Sequence, residues 1–329
     1  MPAINLADMA KLASSDNDTL KLGVVQTFRE VSKVMDMMSF TDIGDLQVKL
    51  IRAKSFPTPA FRKIGNAYNS TKGDFELVEE RVYALGGNLD TDKTIERAKG
   101  ILGARAAHEK LQLEAITRMF NHYLINGDPT SDPDGFTGLW YRLGHDLPST
   151  QSIDANLDIS PTTALSTWKT DIINALDQLI DACNEGDCDA LLMDRSTRLR
   201  LQAAFKGSGL LATTTDQLNR KFLTYGEGGP MLINMGYQRD ETSTSAGTKI
   251  IGHAENVGGT ALTGGARTSI YAVKFGKDKF NGIQEYGLEV TDKGELDDGV
   301  TYRTVVDWPV GMYIAHPRSV ARLYDIKAV

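Results

Sequence analysis

Apolar residues over the first forty positions often fall three or four apart: Ile4, Leu6, Met9, Leu12, Leu20, Val24, Val25, Phe28, Val31, Met35 and Met38. This spacing predicts two short amphipathic helices, over about 5–13 and 17–37. The polar run Ser14-Ser15-Asp16-Asn17-Asp18 between them suits a helix entry. Alone, such a segment has little to bury against, so it is expected to pack as an arm on something else. The pattern then switches to alternation. Leu46, Val48 and Leu50 point one way and Gln47 and Lys49 the other, which predicts a strand over 46–52. FELVEERVYA, at 75–84, reads as the returning strand. The twenty or so residues between them carry Pro57, Pro59, Asn66, Asn69 and Gly73, the chemistry of turns. Loops of this length inside a compact domain are uncommon and usually functional.

The longest helical pattern follows. Ile95, Ala98, Leu102, Ala106, Leu113, Ile116, Phe120 and Leu124 form one apolar stripe, interrupted only by Glu109. Asp92 or Thr94 is suited to cap its start, and Asn126-Gly127 to stop it. About thirty residues at ~1.5 Å rise give a rod of roughly 45 Å, which implies a flat or elongated molecule. Gly100 and Gly103 mark where such a rod would bend or pack closely. A structured loop over 128–144, anchored by Phe136, Leu139 and Trp140, leads to a second helix opened by Ser160-Pro161. Its stripe is Leu165, Trp168, Ile172, Leu176, Leu179 and Cys183. A buried strand at 190–193, a helix over about 196–206 and another over about 215–225 come next. Strands are then expected at 231–235, 248–253, 269–275, 282–290, 300–307, 311–315 and 320–326. No fixed-period repeat is visible.

Composition changes this picture in one place. The 329-residue chain is acidic, with 36 basic and 43 acidic side chains and a net charge of −7, which argues against a general nucleic-acid binder. Residues 46–73 nevertheless hold six basic side chains, Lys49, Arg52, Lys54, Arg62, Lys63 and Lys72, and no acidic one. Apolar content of 41% and charged content of 24% are those of a folded soluble protein. No apolar run reaches the ~18 residues of a membrane span, and the N-terminus lacks a secretory apolar segment. A cytoplasmic product without a membrane anchor is expected. Cys183 and Cys188 have neither a CxxC redox spacing nor visible zinc-site partners, and read as reduced thiols near a helix end.

Catalytic patterns are absent from the sequence. His108, His122, His145, His253 and His316 make no HxxxH or HExxH arrangement. Gly207-Ser208-Gly209 lacks the nucleophile elbow, and the glycine pairs at 228–229, 258–259 and 264–265 precede no Lys-Ser/Thr. Asp132 and Asp134 before Gly135 faintly suggest a calcium loop, but Pro133 intervenes and Tyr141 stands where a bidentate Glu is required. No catalytic, cofactor or metal residue is assigned. A soluble α/β enzyme with scattered site residues is the alternative of another class, and tight small-ligand binding by the monomer would mark it.

The order of these segments resembles the major capsid proteins of tailed bacteriophages, with the Hong Kong 97-like fold. LQVKLIRAKSFPTPAFRKIGNAYNSTKGDFELVEERVYALGGNLDTD resembles the extended loop of that family, and KTIERAKGILGARAAHEKLQLEAITRMFNHYLINGD its spine helix. DPDGFTGLWYRL resembles the loop that follows, and CDALLMDRSTRLRLQAAF a strand and helix of the apical domain. TSIYAVKFGKDKFNGIQ and VVDWPVGMYIAHPRSVARLYDI resemble the late strands. The resemblance implies an α+β fold: an N-terminal arm over 1–40, an extended β-hairpin loop over 41–90, and a spine helix with part of a peripheral domain over 91–160. An apical domain over 161–268 and a strand-rich return through both domains over 269–329 complete it.

By the same resemblance the chain is a non-enzymatic homo-oligomer of pentamers and hexamers in an icosahedral virion shell, assembled in the bacterial host cytoplasm. Its implied partners are a separate scaffolding protein, a decoration protein, a portal and packaged double-stranded DNA. An encapsulin-type compartment is the alternative within the fold. Some relatives join subunits through Lys–Asn isopeptide bonds, but nothing here marks a donor or acceptor, so a non-covalent shell is expected. The extended loop, through Lys54, Arg62, Lys63 and Lys72, is expected to contact acidic surface on a neighbouring copy. Candidates for that surface are Asp74–Glu80 and EYGLEVTDKGELDD (285–298).

Overall fold

The fold is described from a computed structural model, for residues 32–55, 57–94, 104–206, 208–215, 221–238, 248–254, 256–257, 260–261 and 267–329. The chain enters through a short helix, α1 (Lys33–Met37), capped by the Ser32 hydroxyl accepting from the Met35 amide, and a strand, β1 (Phe40–Asp42). A long hairpin follows, β2 (Gln47–Ser55) and β3 (Asp74–Arg81), and β3 runs almost directly into β4 (Tyr83–Asp92). The spine helix α2 (Ala104–Asn126) and a short helix α3 (Leu139–His145) come next. After β5 (Ser152–Asp158) lie α4 (Leu165–Ala182), β6 (Ala190–Met193) and α5 (Arg195–Phe205). The remainder is strand: β7 (Leu211–Thr215), β8 (Lys221–Tyr225), β9 (Met231–Asn234), the two-residue pair β10 (Asn256–Val257) and β11 (Thr260–Ala261), then β12 (Arg267–Val273). The last four are β13 (Phe280–Gln284), β14 (Glu289–Glu295), β15 (Thr301–Ile314) and β16 (Val320–Lys327).

Two sheets carry the architecture. The seven-stranded one runs β5-β16-β12-β6-β9-β8-β7. Its β6 is buried at all four positions, and alternation sends them to opposite cores. Leu191 and Met193 face α4 and α5, with Trp168, Ile172, Leu176, Leu179 and Phe205. Ala190 and Leu192 face the other way, into a core shared with α2 and the second sheet. That second sheet is built on β15, which pairs with β4 along 301–310 on one edge and with β14 and then β13 on the other. Its centre is aromatic: Phe40, Phe120 and Trp308 have ring centroids 5.3–5.9 Å apart.

The spine helix buries Leu113, Ile116, Phe120 and Leu124, the positions the stripe predicts. It ends at Asn126 because Gly127 must pass against Gly138, whose amide donates to the Gly127 carbonyl at 2.8 Å; a Cβ on Gly127 would lie 2.1 Å from the Phe136 carbonyl oxygen. The helices expected at 5–13 and over most of 17–37, the apolar positions 95–102, and Gly100 and Gly103 lie outside the described residues.

Several expectations are corrected. The end of the N-terminal segment is not a bare arm, because Val34, Met35, Met38 and Phe40 are buried in the chain's own core. The helix expected over 215–225 is replaced, in its described residues, by strand: the β-branched run Thr213–Thr215 of β7 pairs with Lys221–Leu223 of β8. The second helix starts at Leu165 rather than Ser160, whose hydroxyl closes a turn with Thr162 and Thr163, and Leu165 at its first position is exposed. Residues 248–253 form only an isolated bridge between Lys249 and Tyr237. The single strand expected over 282–290 is divided between β13 and β14.

The two strands expected at 300–307 and 311–315 are one, β15, despite Pro309. Pro309 falls where the outer partner changes: β14 pairing ends at Asp307 and β13 pairing begins at Val310. The missing N–H therefore leaves no ladder bond broken. The pattern had not indicated β1, β5 or the full length of β4.

Candidate functional site at the extended hairpin

Among the described residues the β2–β3 hairpin pairs only with itself, from Gln47↔Arg81 to Ser55↔Asp74. Its two faces differ. On one, Val48, Leu50 and Val78 are half-buried, and Val48 and Leu50 pack under the hairpin base with Val82, Ile283 and Tyr313. On the other, Ile51 lies opposite Leu77, and Ala53 opposite Phe75. Ile51 is 74% exposed, Phe75 75% and Leu77 59%. Beyond the strands, residues 57–73 are almost all exposed, and Phe61, Ile64 and Tyr68 project from the tip. Isolated exposed apolar side chains are ordinary, but a run of six large ones along one extended hairpin is not.

The basic side chains divide into two groups. Lys49 faces Glu79 at 3.0 Å and Arg52 faces Glu76 at 2.8 Å, both across the hairpin. Their charge is answered within the chain. Arg62 lies over the Tyr68 ring, 5.0 Å from its centroid, and donates to the Asn66 carbonyl at 3.1 Å. Its guanidinium meets no carboxylate among the described residues. Lys54, Lys63 and Lys72 are exposed on the same loop. These four are the residues singled out in the sequence, and the structure places them together towards the outer end of the hairpin.

The expected acidic counter-surface is narrowed in the same way. Glu76 and Glu79 are paired within the hairpin, and Glu80 forms a buried bidentate pair with Arg142. The Asp74–Glu80 stretch is thus largely self-neutralised. In 285–298, Glu295 pairs with Lys93 and Asp298 caps a turn by accepting from the Val300 and Thr301 amides, while Glu289 and Asp297 are exposed.

The Glu80–Arg142 pair fixes the hairpin to the body. Arg142, on α3, also donates from Nε to the Thr137 carbonyl and approaches the Met312 carbonyl at 3.5 Å. Both side chains are nearly buried. Charge in the sequence suggested Glu80 only as part of an acidic run; burial of Arg142 had no signal there.

The remaining chemistry is structural. Asp132, from the faint calcium loop, accepts from the Tyr123 phenol, whose pKa is pushed up to about 12 mainly by that hydrogen bond. Asp128 caps the Thr130 and Ser131 turn. Among the described residues no three His, Cys, Asp or Glu side chains cluster as metal ligands, and no helix is long and apolar enough to cross a membrane.

Comparison with solved structures places this architecture among shell-forming proteins with the Hong Kong 97-like fold. The holo-SrpI encapsulin complex from Synechococcus elongatus PCC 7942 is similar at a TM-score of 0.61 and 13% identity, over 92% of this chain and 90% of that one. The capsid of a native GTA particle is similar at 0.56 and 10%, over 91% and 89%. A structure of Mycobacterium phage Bobi is similar at 0.54 and 12%, over 89% of each chain. The sequence itself matches the family described as Major capsid protein GP7 over residues 16–168. No curated protein matches it. The fold is that of the Hong Kong 97-like proteins, and the match to a phage capsid family over nearly half of the chain favours likeness to phage capsid proteins over encapsulins.

Proposed function

We propose that the chain builds an icosahedral shell of pentamers and hexamers around double-stranded DNA, with each extended hairpin lying on a neighbouring copy. The observation that carries this reading is an apolar face left without a partner among the described residues: Ile51, Phe75 and Leu77, continued by Phe61, Ile64 and Tyr68 at the tip. Burial of such surface is the main driving term of association. Lys54, Arg62, Lys63 and Lys72 supply orientation, meeting acidic side chains such as Glu289 and Asp297 on the neighbour. Exposed pairs of this kind contribute about 0–1 kcal/mol each, so the charges act through repetition across a shell.

In this reading the five-stranded sheet and spine helix form the peripheral part, and the seven-stranded sheet with α4 and α5 the apical part. β5 carries the 91–160 segment into the apical sheet. Contacts between copies are non-covalent. A scaffolding protein, a portal and a decoration protein are the expected partners, and assembly takes place in the host cytoplasm.

Two variants divide the roles. Ile51→Ser with Leu77→Ser should abolish closed particles in negative-stain images while the subunit keeps its circular dichroism. Arg62→Glu with Lys63→Glu should lower particle yield and change its salt dependence. Wild-type yield and salt response in the second variant would remove the charge contact. Particles from the first would remove the apolar one.

A further inference from the structure

Cys183 caps the C-terminal end of α4, and Cys188 leads into β6. Both are free and buried, within one core cluster. Their sulfurs converge on one place. Cys183 Sγ lies 3.5 Å from the Ser319 carbonyl oxygen, and Cys188 Sγ 3.5 Å from that of Val273. Those carbonyls are neighbours: Val273 ends β12 and is the register partner of Val320, and Ser319, in the turn just before β16, accepts from the Lys274 amide at 2.8 Å. The Cys188 thiol, together with burial, pushes the Cys183 thiol far above its ordinary pKa.

The segment joining them is built to return the chain. Asn184, Glu185 and Gly186 all take positive φ, at 52°, 59° and 90°, an arrangement unfavourable for the first two. Side chains outside the loop hold it there. Lys279 Nζ meets Asn184 at 2.5 Å, Arg318 meets Glu185 at 2.8 Å, and Lys274 meets Asp187 at 2.7 Å. A pair of small core hydrophobes needs no such turn.

We propose that Cys183 and Cys188 are an oxidisable dithiol that takes a low-molecular-weight disulfide as oxidant and closes to an intramolecular disulfide. Cys188, 8% exposed against 0% for Cys183, is attacked first. Its thiolate displaces one reduced glutathione from oxidised glutathione and forms a mixed disulfide. The Cys183 thiolate then attacks Cys188 Sγ and displaces the second. Two S–H bonds and one S–S bond are lost, one protein S–S bond forms, and two electrons and two protons leave in two molecules of reduced glutathione. Because both thiols are buried, the rate is set by opening of the exposed turn at 185–187. Disulfides persist in oxidising surroundings, so the staple forms only where such an oxidant prevails.

The test equilibrates the folded, full-length protein with oxidised glutathione, quenches with acid, and reads intact mass and non-reduced peptides. The expected product has lost two hydrogens, retains no glutathione, links the two cysteine peptides to each other, and melts a few degrees higher. Cys183→Ser should instead accumulate the Cys188 mixed disulfide. Stable glutathione adducts on the wild type, disulfide-linked dimers alone, or no reaction until denaturant is added would each overturn the proposal. The wild-type peptide link decides the matter even where a serine variant fails to fold.

Discussion

Asp194 shows how much one side chain can organise. It is nearly buried at the start of α5 and accepts from the Ser196 amide and hydroxyl, from His253 Nε2 at 2.8 Å and from Lys249 Nζ at 2.9 Å. Burial works to raise its pKa, but these hydrogen bonds outweigh burial and hold the carboxyl well below the usual range. A carboxylate depressed in this way contributes stability that is present above the ordinary carboxylate pKa of about 4 and is lost as pH falls through the lowered value. Asp194→Asn should therefore melt below the wild type at pH 7, by about 1–3 kcal/mol in stability. The gap should close as the melts are repeated at progressively more acid pH. Gly282 makes a steric counterpart. A Cβ there would lie 2.3 Å from the Phe40 ring, so Gly282→Ala should cost about 1–3 kcal/mol in a urea melt by pushing Phe40 out of the aromatic centre. Neither role can be read from sequence. Asp194 is recognisable as a helix cap, but its partners at 249 and 253 arrive from a distant turn.

At the scale of elements, the hairpin is held at its base by Glu80 and Arg142. Removing one member of a buried ion pair leaves the other uncompensated and costs about 3–5 kcal/mol, whereas replacing both with apolar groups of similar size is often neutral. Arg142→Met alone should strongly lower the denaturation midpoint. Glu80→Leu with Arg142→Met should recover most of the loss. If the double variant is as unstable as the single, the pair is not the anchor. The elements most legible in the sequence were those with long periodic patterns: the described part of the spine helix, α4, and the alternating strands of the hairpin. Those that failed were governed by distant partners. β1 and β5 are short, and each exists because a late strand lies beside it in parallel. The gap expected between strands at 300–307 and 311–315 is closed by tertiary context, because β4 pairs across it. In the hairpin, the charge excess falls on the segment that pairs only with itself among the described residues. The sequence could not tell that Lys49 and Arg52 were already matched, nor that Ile51, Phe75 and Leu77 faced outward.

For the whole molecule, the reading is of a subunit whose body is self-sufficient and whose hairpin is not. Particles boiled in SDS should run as monomers, and a ladder of higher bands would show covalent joining. The wide sequence separation of the sheet pairs has a further effect, on how the chain is made. β4 needs β15, β5 needs β16, and β1 needs β13. Each early strand waits for one that lies far downstream, as from Ser152 to Arg322 and from Phe40 to Gly282. Such non-local pairing is slow and leaves unpaired edges exposed in the meantime. A chain stopped near residue 300 would lack β15 and β16 altogether and could complete neither sheet. Translation to nearly the last strand is thus a condition for owning a core, and prematurely ended chains would be left to proteases rather than to the growing lattice.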